Sequence, residues 1–109
     1  MATAPLLDNC LVIAGWVTGS SQTRYSPAGF PITRFLLEHH SRQVEVNIPR
    51  EARCRIPVLA CGETLAADAR ALTPGTLVRV SGFICRADHR QGENRLVVHA
   101  AHIETLEPL

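Results

Sequence analysis

The sequence predicts an all-β fold, a five-stranded Greek-key barrel in which one short helix or turn lies between strands 3 and 4. Along the chain, five runs rich in apolar and β-branched residues are separated by segments dense in turn residues, which is typical of strands. Only the alanine-rich run ETLAADARAL, residues 63–72, indicates a helix, and it lies between the third and fourth of those runs. The chain has 109 residues and 46% hydrophobic content, which is one domain's length and argues against disorder.

A seven-residue pattern that occurs twice supports the barrel. LVIAGWV at residues 11–17 and VRVSGFI at residues 78–84 both read apolar, any, apolar, small, glycine, aromatic, apolar. A flat strand disfavours a glycine in its interior, whereas a small barrel needs glycines where its strands coil sharply. Gly15 and Gly82 therefore indicate barrel curvature rather than gene duplication.

The predicted strands are bounded by turn residues and span residues 9–18, 31–39, 52–61, 77–86 and 95–105. The segment GSSQTRYSPAG at 19–29 is predicted to be a loop because it is dense in turn residues. Residues 41–49 are predicted to be polar and irregular, although VEVNI could pair locally. Pro74 and Gly75 end the predicted helix, and a charged turn, ADHRQGEN, joins the last two strands.

Alternation along two strands predicts which side chains face solvent. In the second strand the odd positions 33–37 form an apolar face. In the third strand the even positions are all apolar, whereas the odd positions include Arg53 and Arg55. A period of two places those arginines together on the face away from the core. Pro57 cannot donate to a strand ladder, so it predicts a bulge or a sheet edge.

Five strands with one helix after the third is the element order of the OB-fold, here one domain spanning 1–109 with an ordered core of about 9–105. OB barrels bind single strands on the face of strands 2 and 3 and with the loops between strands 1 and 2 and strands 4 and 5. Those places hold most of the chain's arginines, and the chain has no lysine. Arginine binds phosphate bidentately and stacks on bases. The candidate DNA-binding residues are Arg24, Tyr25, Arg34, Arg50, Arg53, Arg55, Arg86, Arg90 and Arg95.

The aromatic residues leave alternatives open. Tyr25, beside Arg24, is the better candidate for stacking on a base, but a tyrosine there could equally pack on the barrel. Phe35 is expected in the core. Trp16 and Phe83 follow the two glycines and could be core residues, dimer contacts or exposed platforms. Strand 1 is apolar on both faces, and the barrel core can bury only one of them. The other face requires a second layer, which a dimer or the barrel's own loops could supply.

Several classes of protein are not favoured. A formal net charge of +1 does not by itself mark a nucleic-acid-binding protein. Cys10, Cys54, Cys61 and Cys85 form no CxxC pair and are expected to be small, buried and reduced. The histidine spacings match no metal site, and phosphate-binding or nucleophile motifs are absent, so no metal, cofactor or enzymatic activity is expected. Without a signal peptide or membrane-length apolar run, we expect a cytoplasmic protein with no membrane partner.

Several segments together resemble the primosomal replication protein N (PriB) family, a family of single OB-fold proteins that bind single-stranded DNA. The resemblance extends from about residue 9 to residue 104. The resemblance is based on the segments LVIAG at 11–15, SPAGFP at 26–31, FLLEHHS at 35–41, CRIPVLACG at 54–62, VSGFI at 80–84 and LVVHAAHIE at 96–104. The resemblance implies a homodimer that binds single-stranded DNA without sequence preference. It also implies a role in assembling the primosome through contacts with the restart helicase and a primosomal accessory protein.

The chain departs from the family pattern where stacking is expected. The family often has aromatic residues where this chain has Ile48 and Arg53, and Asp88 stands where a lysine is common. Stacking contributes roughly 1–3 kcal/mol per base, so this chain should bind DNA more weakly, although the guanidinium of Arg53 can stack on a base. Few aromatics and low net charge favour an alternative, a protein-interaction module that bridges primosome partners with weak or incidental DNA binding. No feature favours structured RNA.

Overall fold

The computed structural model describes residues 3–87 and 95–108, which form a closed barrel with one helix. The elements are β1 (Leu11–Tyr25), β2 (Pro31–Glu45), β3 (Ile48–Cys61), α1 (Glu63–Arg70), β4 (Leu77–Arg86) and β5 (Leu96–Thr105). The strand order around the barrel is β1-β2-β3-β5-β4, with β3 and β5 parallel and the other neighbours antiparallel. The predicted OB-fold is confirmed, with its helix between β3 and β4.

The core forms where inward side chains of the strands meet, and α1 closes one end. The buried cluster is apolar and consists of Val17, Phe35, Leu37, Val58, Ala60, Ala69, Val78, Val80 and Val98. Thr33, on the predicted apolar face of β2, is buried, and its hydroxyl donates to the carbonyl oxygen of Ala66 in α1 at 3.0 Å. That bond satisfies the hydroxyl and attaches the helix to the sheet.

The prediction of a loop at residues 19–29 is wrong for residues 19–25, which belong to β1. β1 continues to Tyr25, passing through a register shift against β2 between Thr18 and Gln22. The small turn-forming residues there, including Gly19 at φ 70°, are accommodated by this irregularity and do not end the strand. The loop that joins β1 to β2 is therefore only residues 26–30, closed by a 2.8 Å hydrogen bond from the amide of Ser26 to the carbonyl of Phe30.

The prediction that residues 41–49 are irregular is also wrong, whereas the alternative, that VEVNI pairs locally, is confirmed. β2 and β3 form a continuous antiparallel ladder that ends at the pair Glu45–Ile48. Val46 and Asn47 lie between them with φ of 52° and 60°, the left-handed conformations that a two-residue hairpin turn requires. β2 pairs with β1 only as far as Glu38, so residues 39–54 extend beyond the barrel as a hairpin arm.

Gly15 and Gly82 lie where a third strand crosses close to the backbone. The two copies of the seven-residue pattern pair antiparallel with each other, with Leu11 opposite Gly82 and Gly15 opposite Val78. A Cβ at Gly15 would overlap the carbonyl oxygen of Glu38 in β2, and a Cβ at Gly82 would overlap that of His99 in β5. The repeated glycines therefore allow β1 and β4 to approach a second neighbour closely within the closed barrel.

Pro57 is predicted to lie at a bulge or at a sheet edge, and the strand pairing decides between the two. Pro57 causes no register shift against β2, and among the described residues β3 pairs with β5 only at Val58 and Leu59. Pro57 therefore lies at a sheet edge, one of its two predicted settings.

The expectation of buried cysteines is wrong, because all four are exposed and free: Cys10, Cys54, Cys61 and Cys85. They lie before β1, in the arm, at the end of β3 and near the end of β4, where the core does not reach.

In the described part of the chain, no helix has the length and apolarity to cross a membrane.

Candidate nucleic-acid interface

The outer face of β2 and β3 carries the central part of the candidate site. The strand register places Glu38 opposite Arg55 and His40 opposite Arg53, and side chains of opposed residues lie on the same face. Phe35 and Leu37, the odd-numbered residues of β2 that precede Glu38, are fully buried on the other face. Arg53 and Arg55 therefore lie together on the face away from the core, as their spacing in the sequence predicts.

A second pair of arginines lies further along the same surface. Arg34 in β2 is opposite Gln22 in β1, and Arg24 is opposite Ile32. Arg24 and Arg34 are thus diagonal neighbours on one face, about 7–8 Å apart. The sequence predicts that β1 ends at residue 18, so it could not show that Arg24 and Arg34 lie close together.

Three depressions that share residues form one continuous groove over this face. The first is lined by Gln22, Thr23, Arg24, Ile32 and Arg34. The second, with a volume of about 550 Å³, is lined by Arg34, Leu36, Cys54, Arg55, Ile56, Pro57, Arg95 and Leu96. The third is lined by Glu38, His39, His40, Arg53, Cys54 and Arg55. Arg34 belongs to the first and second, and Arg55 belongs to the second and third, so the depressions are contiguous.

The second depression lies between β3 and β5, next to the short stretch where the two strands pair. The two strands pair at Val58 and Leu59, and Arg95 and Leu96 line the groove on the β5 side. Arg86, the last residue of β4, is opposite Leu96 and lies at the same rim. The connection between β4 and β5 begins here, and Arg90 in that connection lies outside the described residues.

The arginines of the groove differ in whether a carboxylate already neutralises them. Arg55 Nη2 donates to Glu38 Oε2 at 3.1 Å. Arg24, Arg34 and Arg53 form no salt bridge with any residue in the described ranges. These three guanidinium groups therefore have donors available for phosphate oxygens.

Two predicted site residues do not project into the groove. Arg50 is opposite Gln43 and occupies an even position of β3, so it lies on the other face of the arm from Arg53. Its Nη1 donates to Glu45 Oε1 at 2.8 Å. Tyr25 is exposed and ends β1 opposite Pro31, on the face of the strand opposite to that of Arg24. The sequence already indicates that Arg50 lies on the other face, because Arg50 occupies an even position of β3 whereas Arg53 and Arg55 occupy odd positions.

The two histidines of the arm face opposite sides, as alternation predicts. The His39 ring lies 2.6 Å from the carbonyl oxygen of Ala14 through Nδ1 and 2.7 Å from Ser41 Oγ through Nε2, which ties the arm to β1. His40 Nε2 hydrogen-bonds Glu51 Oε2 on the outer face. That hydrogen bond and the charge of His40 lower the pKa of the Glu51 carboxyl, and the charge of Arg53 contributes in the same direction.

Sequence reasoning missed Glu38 as a groove residue. Glu38 hydrogen-bonds Arg55, the arginine shared by two of the depressions. Ile32 and Leu36 were also missed. They supply half-buried apolar surface to the groove floor, against which the apolar faces of bases can pack.

An OB barrel with an arginine-lined groove over β2 and β3 defines a protein of the single-strand-binding class. Residues 9–102 match a family described as another single-strand binding protein family. The replication restart protein PriB of Photorhabdus laumondii is 42% identical over 102 residues, which are 94% of this chain and 97% of that protein. The chain therefore belongs to the PriB family of replication restart proteins, as its sequence segments indicated.

Solved structures agree with this assignment. The PriB structure from Ralstonia solanacearum superposes with a TM-score of 0.79 at 28% identity, covering 92% of this chain and 100% of that chain. The single-stranded DNA binding protein from Thermus aquaticus superposes with a TM-score of 0.72 at 26% identity. That match covers 91% of this chain and 50% of the Thermus chain.

Proposed function

We propose that this chain binds single-stranded DNA without sequence preference along the groove over β2 and β3, as a component of the replication-restart primosome. The observation that carries the proposal is a continuous groove in which Arg24, Arg34 and Arg53 form no salt bridge within the described residues. Guanidinium groups bind phosphate oxygens, which every nucleotide presents, so contacts of this kind carry no sequence information.

Stacking contributes less to this groove than charge does. Ile48 and Arg53 occupy the two positions where the resemblance implies aromatic residues, and Tyr25 lies on the far face of β1 from Arg24. The exposed guanidinium of Arg53 supplies a planar surface for a base, and Ile32 and Leu36 supply apolar contact. Binding dominated by phosphate contacts releases counterions and is therefore strongly salt-dependent.

The proposal is tested by fluorescence anisotropy of a labelled oligothymidine titrated with the protein at several salt concentrations. We expect binding at low salt that weakens as salt rises. The slope of log K against log salt should be about −2 to −4, since each neutralised phosphate of a single strand contributes about −0.7. Absence of binding at low salt would contradict DNA binding and favour the alternative function.

A homodimer is the second part of the proposal. Val12, Trp16 and Phe83 are exposed and lie on the outer faces of the paired strands β1 and β4. Val12 is 65% exposed, so the described loops of the barrel do not provide the second layer that the two-sided apolar character of β1 requires. Burial of such a face against a second copy would supply it.

The dimer is tested by light scattering at micromolar concentration. We expect twice the mass of one chain for the parent and the mass of one chain for Val12→Glu, because a carboxylate in an apolar interface is costly. Val44→Glu is the matched control, since Val44 is 71% exposed in the arm and far from β4 in the barrel, and it should remain dimeric. A monomeric parent would contradict the proposal.

Assembly of the primosome through the restart helicase and a primosomal accessory protein completes the proposed role. It rests on the family membership and on the homologues' description as replication restart proteins. The alternative, a bridging module with incidental DNA binding, is favoured by one observation: the turn of the arm presents Val44, Val46 and Ile48, all exposed, to a partner. Capture of the restart helicase in the absence of DNA, by a protein that fails the anisotropy test, would favour it.

A further inference from the structure

A carboxylate occupies the middle of the proposed DNA groove. Glu38 Oε2 accepts a hydrogen bond from Arg55 Nη2 at 3.1 Å, and Arg55 lines both the second and the third depression. A strand of DNA that follows the groove from Arg34 to Arg53 must pass this ion pair. Glu38 itself lines the third depression.

We infer that Glu38 withholds Arg55 from phosphate and thereby sets the affinity of the groove for single-stranded DNA. The inference rests on the proposed function, because it concerns the same groove. The Arg55–Glu38 pair as a whole has no net charge, so it attracts a phosphate less strongly than Arg34 and Arg53 do, which form no salt bridge with the described residues. Glu38 therefore determines how many of the groove's arginines act on DNA.

The position of Glu38 in the sheet keeps its side chain on the groove face. Glu38 is paired with Trp16 of β1 on one side and with Arg55 of β3 on the other, so its backbone is fixed within the sheet. The side chains of Glu38 and Arg55 are 48% and 62% exposed, so the pair is loose enough for a phosphate to compete for the guanidinium. If Arg55 turns to a phosphate, the freed carboxylate stays beside it and repels that phosphate.

The alternative role for Glu38 is to orient Arg55 toward DNA, and the two roles predict opposite signs. If Glu38 competes with phosphate, removing its charge tightens binding. If Glu38 positions Arg55, the same change weakens binding. Glu38→Gln distinguishes them, because glutamine keeps the shape and an oxygen that can accept from Arg55 while removing the charge.

The matched control is Glu45→Gln. Glu45 lies in the same strand and pairs with Arg50 at 2.8 Å, but that pair lies on the face of the arm opposite to Arg53. Both substitutions change the net charge of the protein by the same amount. Only Glu38→Gln removes a carboxylate from the groove.

The test is anisotropy of labelled oligothymidine with the full chain across a range of salt, with thermal melting to establish that each variant is folded. Glu38→Gln is expected to bind about three- to tenfold more tightly at low salt, the size of one contact between unit charges in water. Its salt slope should steepen by about 0.7 because one more arginine engages a phosphate. Glu45→Gln should match the parent within about twofold.

Unchanged or weaker binding by a folded Glu38→Gln variant, when the parent binds, overturns this inference and leaves the proposed function standing. An equal gain in Glu45→Gln also overturns it, because general charge then explains the effect. If neither the parent nor Glu38→Gln binds at low salt, the proposed function and this inference fail together. Binding by Glu38→Gln alone supports the inference.

Discussion

Replacing Arg24 and Arg34 together with alanine is expected to weaken binding of single-stranded DNA by about 10- to 100-fold at low salt, the loss of two contacts between unit charges in water at about 1 kcal/mol each. The two side chains are diagonal neighbours on the outer face of β1 and β2 and line one depression with Gln22. Neither forms a salt bridge with a described residue, so each has its full charge available for a phosphate. The magnitude of the salt slope should fall by about 1.4, because each lost contact with a single strand removes about 0.7.

The control is the double substitution Arg50→Ala and Arg70→Ala, which changes the formal charge by the same amount. Arg50 pairs with Glu45 on the face of the arm opposite to Arg53, and Arg70 is the last residue of α1. Oligothymidine anisotropy over a range of salt measures both variants. Equal losses of affinity in the two variants would mean that the overall charge of the protein, rather than this groove, attracts DNA.

Local sequence rules predicted the parts of the fold where burial decides the structure. β4 has the predicted bounds of Leu77–Arg86, and β5 begins one residue later than predicted. Alternation correctly placed Arg53 and Arg55 on the outer face, because a one-residue shift would expose Val58 and Ala60, which are fully buried.

The rules failed where the chain leaves the core. The turn of the arm places Val46 at a φ of 52°, a conformation that β-branched residues seldom adopt, so its residue types are not those of the common two-residue hairpin turns. The usual behaviour of free cysteine predicts that the cysteines are buried, but Cys54 lies exposed in the arm. In both cases no buried neighbour constrains the residue, and only the tertiary path of the strands determines its environment.

The chemistry of the candidate site depended on register, which composition does not specify. The sequence located the arginines near the strands and loops of an OB groove. It did not show that Glu38 neutralises Arg55, because the two residues are 17 positions apart and meet only through the β2–β3 ladder. The proximity of Arg24 to Arg34 likewise requires β1 to continue past Gly19 and shift its register.

Replacing Gly82 with alanine is expected to destabilise the fold by at least about 3 kcal/mol, a large effect for a single methyl group. The added Cβ would overlap the carbonyl oxygen of His99 and lie 2.9 Å from its carbonyl carbon and 3.1 Å from the Cα of Ala100. All three atoms belong to the backbone of β5, which cannot move away as a flexible side chain could. Thermal unfolding followed by circular dichroism should show a melting temperature lower by about 12–24 °C.

Gly29→Ala is the control that separates two causes of destabilisation, crowding by a neighbouring strand and an unfavourable backbone conformation. Gly29 lies in the loop after β1 at a φ of 89°, and a Cβ there would meet no atom within 4 Å, so only the conformational cost of about 1–2 kcal/mol applies. Gly82 has the opposite combination, since only the crowding by β5 opposes a side chain there. Gly15→Ala, crowded by the carbonyl of Glu38, should resemble Gly82→Ala. If Gly82→Ala melts no lower than Gly29→Ala, the close approach of β5 does not explain the glycine in either copy of the repeated pattern.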